Sequence, residues 1–308
     1  MKHGKLYLNI LHIFNDGYYA SIILLLPFLA NTLHLNLSEA GFLGALPGIL
    51  AIFISLPSGT LSIRFGGLKI LITAVLIYAA SFLLLPWASS FFTTALIFTL
   101  AGCAFGLFHP IAFALVAKLS DKTNRGRIMG TFTALGDSGK VAISAGVTFL
   151  AAAIGWQNTS LLYGGAAFLF FSFLIFSHFK TNHLAMEHKK PEHVAWVKLL
   201  SNKRFILSCL TGLLDYMSSY PLFIFIPFLF LHKGISPALL GSFVGAYLIG
   251  NLAGKATLGA LTDKHGYTKV FIFAEALTAS FILLLTFSGG LVPIIGISII
   301  LGALTKGT

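Results

Sequence analysis

Acidic residues are scarce in this sequence: nine Asp and Glu stand against 20 Lys and Arg in 308 residues. Charged residues of both signs make up only 9%, where a soluble domain carries about 25%. A chain so poor in charge is read as an integral membrane protein with little else attached. Cysteine is nearly missing too. Cys103 and Cys209 both lie inside apolar runs, which excludes a disulfide framework. Neither a P-loop nor H-E-x-x-H occurs, so direct ATP coupling by this chain is not expected. Gly136-Asp137-Ser138-Gly139 spells the G-x-S-G of intramembrane serine proteases, but four residues carry little in a chain with 31 glycines. The G-x-G-D of intramembrane aspartyl proteases fails at Ala134-Leu135-Gly136-Asp137. The reading is no enzyme, no cofactor and no metal.

Apolar sequence is what the chain has in quantity, at 57% hydrophobic residues and a mean hydropathy of +0.91. Runs long enough to span a bilayer, roughly 20 residues each, fall at 6–33, 39–61, 68–88, 91–118, 128–154, 161–179, 204–231, 238–261, 268–288 and 291–308. The first is too long for a signal peptide and has no small-residue cleavage site. Sixteen basic residues fall in loops on one side of this alternation and only Lys233 on the other. That asymmetry predicts a multi-pass protein of a bacterial-type inner (plasma) membrane with a cytoplasmic N-terminus. The basic excess therefore orients the chain among lipids and does not signal nucleic acid. Segment 180–203 is the one long polar stretch and reads as a cytoplasmic linker between halves 1–179 and 204–308. Its histidines, His183, His188 and His193, are spaced by five and scatter around a helix, which favours a solvated linker over a metal site.

The two halves repeat each other. Gly59-Thr-Leu-Ser-Ile-Arg64-Phe-Gly66-Gly-Leu-Lys69 returns as Gly259-Ala-Leu-Thr-Asp263-Lys264-His-Gly266-Tyr-Thr-Lys269, an offset of 200. Pro27-Phe28-Leu29 answers Pro227-Phe228-Leu229, Asn15 answers Asp215, Gly41 answers Gly241, and Gly102 answers Gly302. A repeat in the same orientation, separated by an even number of spans, predicts a parallel two-bundle transporter. By that register the chain stops partway through span ten, and about 2.5 further spans are expected beyond it.

Over its whole length the sequence resembles the major facilitator superfamily. The signature after span two of that superfamily, G-x-L-x-D-[RK]-x-G-[RK]-[RK], is similar to 259–269, with Asp263, Lys264, Gly266 and Lys269 in place. The first copy departs from it, with Ile63 where the Asp is expected, and keeps Gly59, Arg64, Gly66 and Lys69. Within the superfamily, His12-Ile-Phe-Asn15-Asp16 and Phe108-His109-Pro110 resemble the fosmidomycin-resistance branch of drug-efflux antiporters. The span-four Arg of many drug–proton antiporters is replaced here, with Gly102 near its place. The resemblance implies an all-α fold of two pseudo-symmetric six-helix bundles, about ten spans of which are present. It also implies spans one, five and seven around a central cavity.

Four acids lie inside spans: Asp16, Asp137, Asp215 and Glu275. A charge in the bilayer core is unfavourable by several kcal/mol, so such groups face the bundle interior, find partners or titrate. At about 1.5 Å per residue, Asp16, Asp137 and Asp215 all sit near 15 Å deep, close to the midplane. His12, Asn15, Asp16 and Tyr19 share one face at i, i+3, i+4 and i+7. That stripe is either a polar pathway or a hydrogen-bonded seam, with Asn15-Asp16 capping a break at Gly17. Asp137 and Lys140, at i and i+3, form either a static pair or one that a proton or an anionic solute contests. Lys255 is expected to pair with Glu275 or to reach the cytoplasm, and His109 beside Pro110 is a protonatable gate or a satisfied histidine at a kink. Together these give a secondary transporter of a small solute, expected to be monomeric, with protons as coupling ion and with efflux as the direction that the resemblance to the drug-efflux branch implies. Uptake of a metabolite, uncoupled diffusion or a non-transporting receptor or scaffold are the alternatives.

Overall fold

The structure, a computed structural model, describes residues 2–121, 125–178 and 201–306. The expected linker over 180–203, with its three histidines, lies outside the described residues up to residue 200. The chain is α-helical, and a helix stands at each of the ten expected positions. The first span is α1 (Lys2–Leu24) continued by α2 (Leu26–Leu33). There follow α3 (Leu37–Phe65), α4 (Gly67–Leu84), α5 (Phe91–Lys118), α6 (Arg125–Ile154) and α7 (Trp156–His178). The second half has α8 (Lys203–His232), α9 (Leu240–His265), α10 (Tyr267–Phe287) and α11 (Leu291–Lys306). Among the described residues, eight segments have the length and hydropathy to cross a membrane, and Leu291–Thr305 is a shorter apolar helix. The apolar side chains left exposed by packing, such as Phe53, Phe92, Phe149, Phe173 and Phe273, make the surface that lipid covers.

The helices begin and end where local chemistry dictates. Asn36 opens α3 with a capping box: its side chain accepts from the Glu39 amide while Glu39 accepts from the Asn36 amide, both at 2.9 Å. Ser90 and Thr93 do the same for α5. The repeated loops match in backbone detail. Gly66 and Gly266 close α3 and α9 at φ of 91° and 85°, and their amides donate to Ser62 and Thr262 carbonyls at 2.9 Å in both copies. A side chain strongly disfavours that backbone, so both repeats need glycine there. Lys233, the one basic loop residue on its side, holds the end of α10 by donating to the carbonyls of Thr286 and Ser288 at 2.9 and 2.6 Å.

Packing sets the site. α1 lies on α6 with glycines at the crossing: a Cβ on Gly17 would strike Ile143, one on Gly139 would overlap the Ile13 carbonyl, and one on Gly136 would strike His12 and Asp16. α1 runs unbroken through Gly17, so the capped break that was one alternative for the polar stripe does not form. The chain interrupts its helix at Leu25 instead, two residues before Pro27, while α8 continues through the matching Pro227. The core of the first half is continuous from Leu8 on α1 to Phe171 on α7.

The two halves meet towards the end that carries loops 34–36 and 233–236. There Gly41 and Gly44 of α3 receive Phe225 and Ile224 of α8, and Gly241 of α9 sits against Ala145 and Thr148 of α6. Leu24 of α1 joins a core cluster with Phe230, Leu240 and Phe243 of the second half. Towards the other end, where Gly66 and Gly266 lie, α8 is exposed around its whole circumference from Lys203 to Leu210. The halves are packed at one end and apart at the other.

Candidate functional site

Gly136 and Gly139 bring the middle of α6 onto α1, and this puts Asp16, Asp137 and Lys140 side by side. Lys140 bridges the two carboxylates, with Nζ 3.0 Å from Asp16 Oδ2 and 3.0 Å from Asp137 Oδ1. Asp16 is 3% exposed and Asp137 7%, so both carboxylates are out of water and bound to a cation, the condition under which a buried charge persists. Asn15 Nδ2 donates to Asp16 Oδ1 at 2.9 Å. The sequence pairing of Asp137 with Lys140 holds, and Asp16 joins it.

Two histidines complete the first carboxylate's surroundings. His12 Nε2 and His109 Nε2 lie 3.4 and 3.3 Å from Asp16 Oδ1. His12 is sandwiched between Phe108 and Phe132, and its Nδ1 is 2.8 Å from the Phe132 carbonyl. A carbonyl only accepts, so Nδ1 carries the hydrogen and, in the neutral ring, Nε2 presents a lone pair. His12 Nε2 and His109 Nδ1 are both buried without a hydrogen-bond partner.

The second ammonium of the centre has a partner that the sequence reading did not name. Lys255 of α9, expected to pair with Glu275 or to reach the cytoplasm, places Nζ 2.5 Å from Asp137 Oδ2. Asp137 therefore joins the two halves of the molecule at its centre, held by Lys140 on its own helix and Lys255 from the other bundle. Lys255 is 43% exposed and His109 24%, so the cluster opens to solvent on the side where the halves are apart. Its sequence signal was a lysine deep in an apolar run; its partner depends on how α9 is rotated against α6.

Tyr19 lies apart from the carboxylates. Its hydroxyl is 2.5 Å from that of Tyr220 on α8, which also donates to the Gly44 carbonyl at 3.1 Å, and Tyr216 stacks on Tyr220. This tyrosine group ties the halves together on the packed side of the charged centre, and Tyr220 went unread in the sequence. Asp215 belongs to α8, but its side chain lies outside the described residues. Among the described residues, the loop positions take no part in the centre. Arg64 lies over the Phe65 ring at 5.2 Å, Gly59 ends no helix, Lys69, Lys264 and Lys269 are exposed, and the Asp263 side chain and Gly259 surroundings lie outside the described residues.

A helical bundle of membrane-spanning length in two halves, with buried charges at mid-depth and an opening at one end, defines a multi-pass membrane transporter. The chain belongs to the Major Facilitator Superfamily, whose sequence profile matches residues 8–229. No curated protein matches the sequence. Among solved structures, the nucleoside transporter NupG (D323A mutant) superposes with a TM-score of 0.78 at 14% identity, covering 98% of this chain and 80% of that one. A bacterial homolog of the human lysosomal transporter Spinster, inward-facing and unoccupied, gives 0.76 at 15% identity over 99% and 73%. The inward-open xylose transporter XylE from E. coli gives 0.65 at 16% identity over 98% and 79%. At such identities the likeness is one of fold.

Proposed function

We propose that this protein is a proton-coupled secondary transporter that exports a small anionic solute by alternating access across a bacterial-type inner membrane. The observation that carries the reading is Asp137, shared between Lys140 of its own helix and Lys255 of the opposite half. The charge on one carboxylate thus controls a bond between the bundles. Protonating Asp137 removes its attraction for Lys255, which frees the halves to move and leaves two ammonium groups to hold a carboxylate, phosphate or phosphonate. An anion bound between the lysines displaces the same carboxylate, so proton and solute are linked through one group.

Orientation follows from the loop charges. Sixteen basic residues on the side of Gly66 and Gly266 support a cytoplasmic position for that end and for the N-terminus. The form described here is then open to the cytoplasm and closed outside by the Tyr19–Tyr220 contact and the α6–α9 packing. Because protonating Asp137 favours the anion, this geometry by itself binds proton and solute together, as a symporter does; export as antiport rests on the resemblance to drug-efflux proteins, and the direction of proton movement decides between the two.

The test is a proteoliposome assay with an internal pH-sensitive dye and a panel of small carboxylates, phosphates and phosphonates. Solute-dependent proton movement that disappears in Asp137→Asn supports the reading. Undiminished proton movement in that variant removes Asp137 from the mechanism, and proton movement with the solute gradient in place of against it changes the assignment to uptake.

A further inference from the structure

We infer that His12, Asp16 and His109 form a binding site for a divalent transition-metal ion of the zinc, cobalt or nickel type, at the edge of the charged cluster that His109 opens to solvent. The three side chains offer one ligand atom each, all within 4.8 Å of one another. The two nitrogen–oxygen edges, 3.4 and 3.3 Å, match the roughly 3.4 Å separating tetrahedral ligands that sit about 2.0–2.1 Å from an ion. Two imidazoles and a carboxylate are a donor set for a borderline ion with one coordination position left open. His109, partly exposed, gives that position access to solvent.

The independent observation is an unmet bonding need. His12 is 2% exposed, and its Nε2 makes no hydrogen bond; the polar atom it faces is Asp16 Oδ1 at 3.4 Å. The ring is clamped by two phenyl groups and its Nδ1 hydrogen is spent on the Phe132 carbonyl, so the Nε2 lone pair is fixed in direction, towards the Asp16 oxygen. Two acceptors facing each other in a dry site repel, and a group between them must supply positive charge. Donating the other ring N–H to a backbone carbonyl is how metal-binding histidines are oriented. The carboxylate is held in the same manner, by Asn15 on Oδ1 and Lys140 on Oδ2. Lys140 also opposes the ion by its charge. This predicts a modest affinity, and it predicts that removing the ammonium strengthens binding.

The inference does not depend on the transport reading, since it is read by binding alone. The full chain is purified in detergent without a histidine tag and titrated with Co2+, following the visible bands of a low-symmetry cobalt site, then with Zn2+ in competition. One ion per chain is expected. His109→Gln should abolish the bands, Asn15→Ala should weaken binding about 10–100-fold, and Lys140→Met should tighten it. His109→Cys should keep an ion with an added thiolate charge-transfer band. His12→Gln is included, with melting curves to separate a lost site from a lost fold; if it fails to fold, His109→Gln decides. Absence of cobalt and zinc binding in the unaltered chain would overturn the inference, leaving a proton or water between His12 and Asp16. So would binding that survives His109→Gln and disappears when His183, His188 and His193 are replaced.

Discussion

The two halves share a backbone and divide the chemistry unequally. Their repeated loops close with the same positive φ and the same 2.9 Å cap bond at Gly66 and Gly266. Gly102 lets α5 approach α3 at Pro47, and Gly302 lets α11 approach α9 at Tyr247 in the same relation. Among the described residues, the charged centre is drawn unequally from the two halves. His12, Asp16, His109, Asp137 and Lys140 all come from the first half, and among the described residues the second adds Lys255. The duplicated part is scaffold, and its geometry is kept by glycines. Among the described residues, the first half builds the charged centre and the second touches it through the Lys255–Asp137 pair.

The sharpest way to break this comparison is to remove each lysine in turn. Lys140→Met leaves two buried carboxylates facing each other and should cost about 3–5 kcal/mol, read as a large fall in the melting temperature in detergent. Lys255→Met should cost about 1 kcal/mol or less, because its ammonium is partly in water, while abolishing solute-dependent proton movement. Adding Asp16→Asn to Lys140→Met should recover much of the stability, as one of the opposed charges is gone. Equal losses for the two lysines would contradict the division between building the site and touching it.

Glycine substitutions sharpen the scaffold side. Gly139→Ala forces a methyl into the α1–α6 crossing and should cost about 1–3 kcal/mol, whereas Gly245→Ala meets only Val141 Cγ1 at 3.6 Å and should be near neutral. Gly66→Ala and Gly266→Ala should each cost about 1–3 kcal/mol, and by similar amounts, because both carry the same backbone strain onto a side chain. Thermal unfolding of the four variants checks the ranking. A modest effect is expected of Tyr220→Phe, which removes the hydroxyl paired with Tyr19 and bonded to the Gly44 carbonyl. It should cost about 1 kcal/mol and shift the halves towards opening at that end, visible as faster labelling of a cysteine placed at Phe225.

Much of the fold was legible because a bilayer imposes length and charge rules on each segment separately. Ten spans, the 200-residue offset and the glycine-capped loops follow from residues read one stretch at a time. Half of the centre was legible for the same reason: a carboxylate in oil announces itself, and the stripe of His12, Asn15 and Asp16 and the neighbours Asp137 and Lys140 lie on single helices. What stayed hidden depends on how separate helices turn towards one another. Lys255 meets Asp137 only through the crossing of α9 on α6, and His12 is oriented by a backbone carbonyl, which has no sequence signature. A break at Gly17 capped by Asn15-Asp16 was one of two alternatives for that stripe; the glycine's use is to let α6 come close. Tyr19 was placed with the acids because it shares their face of α1, although one further turn carries it to the tyrosines of α8.

The central claim is that the charge on Asp137 governs the bond between the halves. Spin labels at Thr131 of α6 and Thr257 of α9, both exposed on the open side, in a chain with Cys103 and Cys209 replaced, report the distance across that opening. Asp137→Asn should shift the distance distribution at neutral pH to the one the unaltered chain adopts on acidification, and further acid should then change little. A distribution that Asp137→Asn leaves in place, still responding to pH as before, would contradict the claim.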